Sequence, residues 1–270
     1  MALFLQITTF VVIVILGAVS FRYYPLKITT KNLTIAAMLV VLSVALQFFS
    51  VMIPLFGFPS LRIDFLSLPL MIIGVILGPT WAFVSGIVQD ILGLIVTPTG
   101  FPFFGFMLNK VLVGMIPAVL FLTKDKIDNK RIHQIVMGLL GLFLLGSLGY
   151  LWTVQEIVVE ATPYVITIPT KITLSIITIV LIFGLGMFVN LSRQRYQSTI
   201  IPVALWTLSV LVVEVIVQLI LTPTWLSAMY GIPVLLSFLV RVIKASVMIP
   251  LLMFIGYGLL SMIIKMRLFR

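Results

Sequence analysis

The sequence predicts an all-α membrane protein, and three observations carry that expectation. Hydrophobic residues make up 62% of the chain and charged residues 9%, with a mean hydropathy of +1.31, whereas soluble domains run near ~45–50% apolar and ~25% charged. Apolar runs of about 20 residues, enough to cross a ~30 Å hydrocarbon core, recur along the chain. The basic residues gather between alternate runs, as they do in loops facing the cytoplasm. The net charge of +10 therefore reports topology: the basic residues neither crowd one helix nor interleave with aromatics, and do not describe a nucleic-acid surface. Cysteine is absent, so helix packing rather than disulfides or thiolate metal sites must hold the chain together.

In chain order, residues 4–21 form a first span. Met1 to Gln6 carries no basic stretch, and Ala18 and Ser20 make a weak cleavage site, so the span is expected to be retained. Residues 33–54 form the second. The short runs 66–77 and 80–97 flank Gly78-Pro79-Thr80, and proline lacks an N–H and restricts the residue before it, so the pair either kinks one helix or joins two. The positive-inside rule selects two. Arg22, Lys27, Lys31, Lys124, Lys126, Lys130, Arg131, Arg193, Arg195, Lys265, Arg267 and Arg270 then share one face, twelve of the seventeen basic residues. A single kinked span would move the 124–131 loop to the other side. Runs 105–122, 133–153, 170–190, 199–221 and 234–264 complete nine spans, with the N-terminus outside and the C-terminus cytoplasmic.

An even number of helices can be inserted without inverting the spans after them. Residues 125–196, a pair of spans joined by an external loop with Glu156 and Glu160, read as such an insertion, and residues 1–28 as an extra N-terminal transmembrane helix. There remains a six-helix core, with helices 1–4 in residues 29–124 and helices 5–6 in residues 197–270, plus three additional transmembrane helices.

Asp90, Lys110, Glu214, Arg241 and Lys244 lie inside core spans. Each costs roughly 2.5–3.5 kcal/mol at a helix centre and so demands a partner or water. At ~1.5 Å per residue, the orientation places all five on the external side of the midplane, Lys244 deepest. Glu214 with Gln218, and Arg241 with Lys244, share helix faces by their spacing, while Gln89 and Asn109 add polar groups from two more helices. These residues describe an outward-opening polar pocket, rimmed by Arg62 and Asp64 and by the loops Thr97-Pro98-Thr99 and Thr222-Pro223-Thr224. The alternative is mutual neutralisation, Asp90 with Lys110 or Glu214 with Arg241. Three cations against two anions leave one positive charge over, which an anionic ligand group would complete; a carboxylate could also take paired N–H donors of an aminopyrimidine edge.

Phe101, Phe103, Phe104 and Phe106 fit the aromatic belt of a membrane interface. Trp225 and Tyr230, expected in a short loop beside the pocket, are better ligand contacts. His133 reads as a solvated cytoplasmic residue. Ala37, Val41 and Ala45 recur every four residues and form a smooth strip that could admit another helix. No phosphate-binding Gly-x-x-x-x-Gly-Lys-Ser/Thr, no Gly-x-Ser-x-Gly and no His-Glu-x-x-His occurs, so neither ATP hydrolysis nor familiar hydrolytic chemistry is written in this chain.

Two blocks together resemble the substrate-binding S components of energy-coupling factor (ECF) transporters. The first is Arg62-Ile-Asp-Phe-Leu-Ser-Leu-Pro69, followed by Gly78-Pro79, Gly86, Asp90, Gly93, Pro98-Thr99-Gly100 and Gly105-Phe106. The second, Trp225-Leu-Ser-Ala-Met-Tyr230-Gly231-Ile-Pro233 with Arg241, Lys244 and Ile249-Pro250, is similar to the folate branch of that family. The resemblance covers 33–122 and 199–265. It implies a cell-membrane protein with an S-component-like six-helix core that binds a folate-like vitamin from outside. It also implies partnership with a transmembrane coupling protein and two cytosolic ATPases, so that the chain itself is no enzyme and needs no cofactor. Arg62, Trp225, Tyr230, Arg241 and Lys244 match the family's pocket positions, and the small residues of the first core helix match its partner contact. A stand-alone secondary transporter for a small organic anion is the alternative.

Overall fold

A computed structural model describes residues 2–55, 58–96, 102–124, 126, 128–159, 162–195 and 202–265. Helix α1 (Ala2–Tyr23) is apolar around its circumference. Helix α2 (Thr30–Ala45) starts at Thr29, whose hydroxyl accepts the Asn32 amide at 3.2 Å, a side-chain cap for an otherwise orphaned donor. The expected second span of 33–54 is corrected here. The helix ends at Ala45, turns follow, and β1 (Val51–Leu55) pairs antiparallel with β2 (Phe58–Ile63). An apolar run does not by itself distinguish helix from strand, and Pro54, where the register shifts, cannot sit inside a helix without removing a hydrogen bond.

Helices α3 (Ser67–Leu77) and α4 (Pro79–Val96) meet at Gly78, whose φ of 92° lies where only glycine is unstrained. Pro79 opens α4, where a missing N–H costs nothing. The expected helical hairpin is therefore present. Helix α5 (Phe104–Leu122) packs closely on both. A Cβ on Gly74 would lie 2.0 Å from the Gly114 carbonyl oxygen, and one on Gly86 would lie 2.7 Å from the Val111 Cα; glycine here is what lets the backbones touch.

Helix α6 (Asn129–Thr153), the small hairpin β3 (Glu156–Val159) and β4 (Thr162–Val165), and α7 (Ile168–Arg195) come next. Val136, Leu140 and Phe143 of α6 and Ile182, Leu185 and Val189 of α7 join the same apolar core as Leu205, Trp206 and Leu211 further on. His133, expected to be solvated, is buried because α6 turns it inward with Ile132. After α7, α8 (Val203–Val212) passes into a π-helix (Val213–Leu221) and then α9 (Thr222–Tyr230), before Gly231 at φ 67° ends the run and α10 (Val234–Lys265) begins. Among the described residues, seven helices are long and apolar enough to cross a membrane, and α2 and α3 are shorter apolar helices. Large side chains such as Leu142 and Leu145, more than 70% exposed, face outward as a lipid-solvated surface requires.

Candidate functional site

A cavity of about 500 Å³ opens among α3, α4, α5, the π-helix, α9 and α10. Helix α4 contributes Gln89, Asp90 and Gly93; α5 contributes Phe103 at its cap, then Phe106, Asn109 and Lys110. The 213–230 run gives Val217, Gln218, Thr222, Leu226 and Tyr230, and α10 gives Arg241 and Lys244, with Gln47 and Asp64 arriving from the segments either side of the β1–β2 hairpin. Every one of these residues falls within 29–124 or 197–270.

The α10 side carries a cation pair with unequal commitments. Lys244 Nζ lies 3.3 Å from Asp64 Oδ2. Arg241 donates from Nε to Ser237 Oγ at 3.4 Å and from Nη1 to Gln218 Oε1 at 2.9 Å. Its Nη2 edge has no partner among the described residues. A guanidinium so held keeps a planar fork for a carboxylate. Asp90 lies within electrostatic reach of Lys110, and Glu214 within that of Lys244, Asp64 and Arg241. Asp64 is drawn in beside Lys244, so acidic groups lie among the cations on this side of the cavity.

On the α4 side, Gln89 is 1% exposed and its Oε1 has no hydrogen-bond partner among the described residues. Asp90 next to it is buried, within electrostatic reach of Lys110. Buried polar groups are normally paired, so an unpartnered Gln89 oxygen bordering the cavity points to a group that enters it.

Some expected residues take other positions. Glu214 is 2% exposed with Oε2 unpartnered and sits behind the wall rather than on it, within electrostatic reach of Lys244, Asp64 and Arg241. The i, i+4 spacing puts it on the Gln218 face, but a wider turn of the π type separates them. Residues 222–224 and Trp225 are helical, not loop: Pro223 falls in the first turn of α9, where proline is tolerated. Trp225 consequently turns into the protein, 6% exposed, edge-on to Phe103 at 5.7 Å, and it backs the cavity without bordering it. Tyr230 does border it, from the last turn of α9. Phe103 and Phe106, read as an interfacial belt, are instead cavity wall. Arg62 lies on β2 opposite Met52, and its side chain lies outside the described residues, as do Phe101 and the 97–99 loop. Sequence reasoning misses Gln47, whose signal is an amide at the end of an apolar run. On α2, Ala37 and Val41 face outward and Ala45 is half-buried, while Ala36, Val40, Ser43 and Val44 face the core.

Apolar helices of membrane-spanning length enclosing a cavity lined by charged and polar side chains are the architecture of an integral membrane binding protein. The family described as ECF transporter, substrate-specific component, matches residues 31–189, and the chain belongs to it. It is thus a substrate-binding component of a transporter rather than an enzyme. Among curated proteins, the Folate transporter FolT of Clostridium novyi (strain NT) is 30% identical over 94 residues, which cover 35% of this chain and 54% of that protein. The Uncharacterized protein MG313 homolog of Mycoplasma pneumoniae is 32% identical over 143 residues, covering 48% of each. The chain spans about half the length of these curated relatives. A crystal structure of FolT bound with folic acid is similar at a TM-score of 0.49 and 22% identity, over 86% of this chain and 95% of that one.

Proposed function

We infer that this chain captures folate, or a closely related pterin carrying a carboxylate tail, from outside the cell. Delivery inward is then driven by two separate cytosolic ATPases through a transmembrane coupling protein. The observation that carries this is the cavity's two poles: the free Nη2 edge of Arg241 beside Lys244 suits a carboxylate, and the unpartnered Gln89 oxygen with the neighbouring Asp90 carboxylate suits the N–H donors of an aminopyrimidine ring. The curated relative named a folate transporter supports the same reading. We assign Asp64, Asp90, Lys110, Gln218, Tyr230, Arg241 and Lys244 to ligand contact, Arg62 to the rim, and Glu214 and Trp225 to support from behind.

The core is residues 29–124 and 197–270, supported by the origin of every cavity-lining residue; residues 1–28 and 125–196 are additions around it. The N-terminus is outside and the C-terminus cytoplasmic, on the distribution of basic residues. The outward strip of Ala37, Val41 and Ala45 is the docking face for the coupling protein. Equilibrium titration of the purified chain with folic acid tests capture. Uptake into vesicles with and without the coupling protein and ATPases tests the drive, and gradient-driven uptake by the chain alone would overturn it in favour of a secondary transporter.

A further inference from the structure

Behind the cavity, a chain of hydrogen bonds ties α5 to the junction of the π-helix and α9. Trp225 Nε1 donates to Asn109 Oδ1 at 3.1 Å, Asn109 Nδ2 donates to Thr222 Oγ1 at 3.1 Å, and Thr222 Oγ1 donates to the Val217 carbonyl at 2.6 Å. The direction of every bond is forced. An indole N–H only donates and a backbone carbonyl only accepts, so the Asn109 oxygen must face Trp225, its nitrogen must face Thr222, and the hydroxyl must point at Val217. All three side chains are buried, with 6–7% exposure. The Asn109 amide therefore has one permitted orientation, unlike that of Gln89, whose oxygen is unpartnered. Asn109 borders the cavity, and one Nδ2–H is left without a protein partner among the described residues.

We propose that Asn109 is a specificity-determining residue: its locked amide offers the ligand an N–H donor, and so selects a carbonyl over an amino group at the ring edge it meets. The assignment rests on the pterin reading of the cavity. A flippable amide would accept either group by turning over; this one cannot, because turning would set Nδ2–H against the indole N–H and leave both unpaired, an expensive outcome in a buried site.

The test uses folic acid, with a carbonyl at ring position 4, and its 4-amino-4-deoxy counterpart, titrated calorimetrically into the purified full-length chain. The unaltered chain should prefer the 4-oxo compound by about tenfold or more, the size of one mispaired buried hydrogen bond. Trp225→Phe removes the forcing donor and keeps an aromatic ring, so the preference should fall toward unity. Asn109→Asp keeps an acceptor for Trp225 and has no N–H to offer, so the preference should reverse in favour of the 4-amino compound. A merely structural role would lower both affinities and leave their ratio unchanged, and that result in both variants overturns the assignment alone. No binding of either compound by the unaltered chain overturns the pterin reading and the assignment together.

Discussion

Replacing Arg241 distinguishes a ligand-binding cation from a packing one, and the structure sets the size of the effect. Two of the guanidinium's nitrogens are engaged, Nε with Ser237 and Nη1 with Gln218, which fixes the plane and leaves the Nη2 edge for a ligand carboxylate. Two charge-assisted hydrogen bonds at about 1.5–3 kcal/mol each give a loss of about 3–6 kcal/mol for Arg241→Ala, or roughly a hundred- to ten-thousand-fold in Kd. Arg241→Lys retains a point charge and loses the fork, so about one of those two bonds, some tenfold or more in Kd, should go. The assay is calorimetric titration with folic acid and with 6-hydroxymethylpterin, which has the ring and no carboxylate. The loss should fall on folic acid and largely spare the pterin. Equal losses on both compounds, with a lowered thermal midpoint, would show that Arg241 serves only to offset Glu214 and would refute the carboxylate reasoning.

Four other perturbations have defined outcomes. Asp64→Asn removes the partner of Lys244, 3.3 Å away and only partly exposed, and should lower stability by about 1.5–3 kcal/mol; Asp64→Asn with Lys244→Met should recover part of it in detergent unfolding. Gly105→Ala drives a Cβ to 2.2 Å from the Phe103 ring and 2.9 Å from Trp225, an overpacking cost of about 1–3 kcal/mol with weakened binding, whereas Gly138→Ala meets nothing within 4 Å and should be neutral or stabilising by up to about 1 kcal/mol, both read from thermal midpoints. Ala37→Trp, on an exposed face, should leave ligand affinity within about twofold yet abolish uptake by the assembled transporter. Removing residues 1–28 costs the Thr80 hydrogen bond to the Ser20 carbonyl at 3.1 Å and the packing of Ile13; thermal scans should show a lower midpoint, with folic acid affinity retained.

Much of the helical layout is legible in the sequence because its punctuation is local. Gly78-Pro79 divides α3 from α4 for reasons internal to two residues, and the basic loops mark alternate connections independently of packing. The π-helix has no such signal. Its wider turns are supported from outside the segment, by Asn109 of α5 acting on Thr222, whose hydroxyl takes the Val217 carbonyl, and a sequence window that contains Pro223 reads instead as a break. Two other misplacements come from that one: Trp225 in a loop, and Glu214 on the Gln218 face. The β1–β2 hairpin is hidden for a related reason, since Val51 to Leu55 is as apolar as the helix before it and an apolar run does not by itself separate helix from strand, with Pro54 the local signal against a helix. Asp64 can be named as a rim residue, yet its pairing with Lys244, 180 positions away in sequence, depends on how that hairpin returns the chain.

That pairing changes what the cavity asks of its ligand. Cations alone would demand an anion and nothing more, whereas Asp64 beside Lys244 and Asp90 on the α4 wall set carboxylates in the same cavity and ask for a molecule with two characters. Lys244 and Asp64 close into a pair, but the Gln89 oxygen and the Nη2 edge of Arg241 make no hydrogen bond among the described residues, although each would gain by pairing in a low-dielectric interior. Groups held apart in this way keep their hydrogen-bonding capacity for water or for a ligand that brings the opposite character to each pole. A simple dicarboxylate would satisfy the α10 side and set its charge against Asp90; a ring with N–H donors alone would leave Arg241 wanting. A donor-edged ring joined to a carboxylate tail meets both poles of one cavity, and the locked amide of Asn109 then tells which ring.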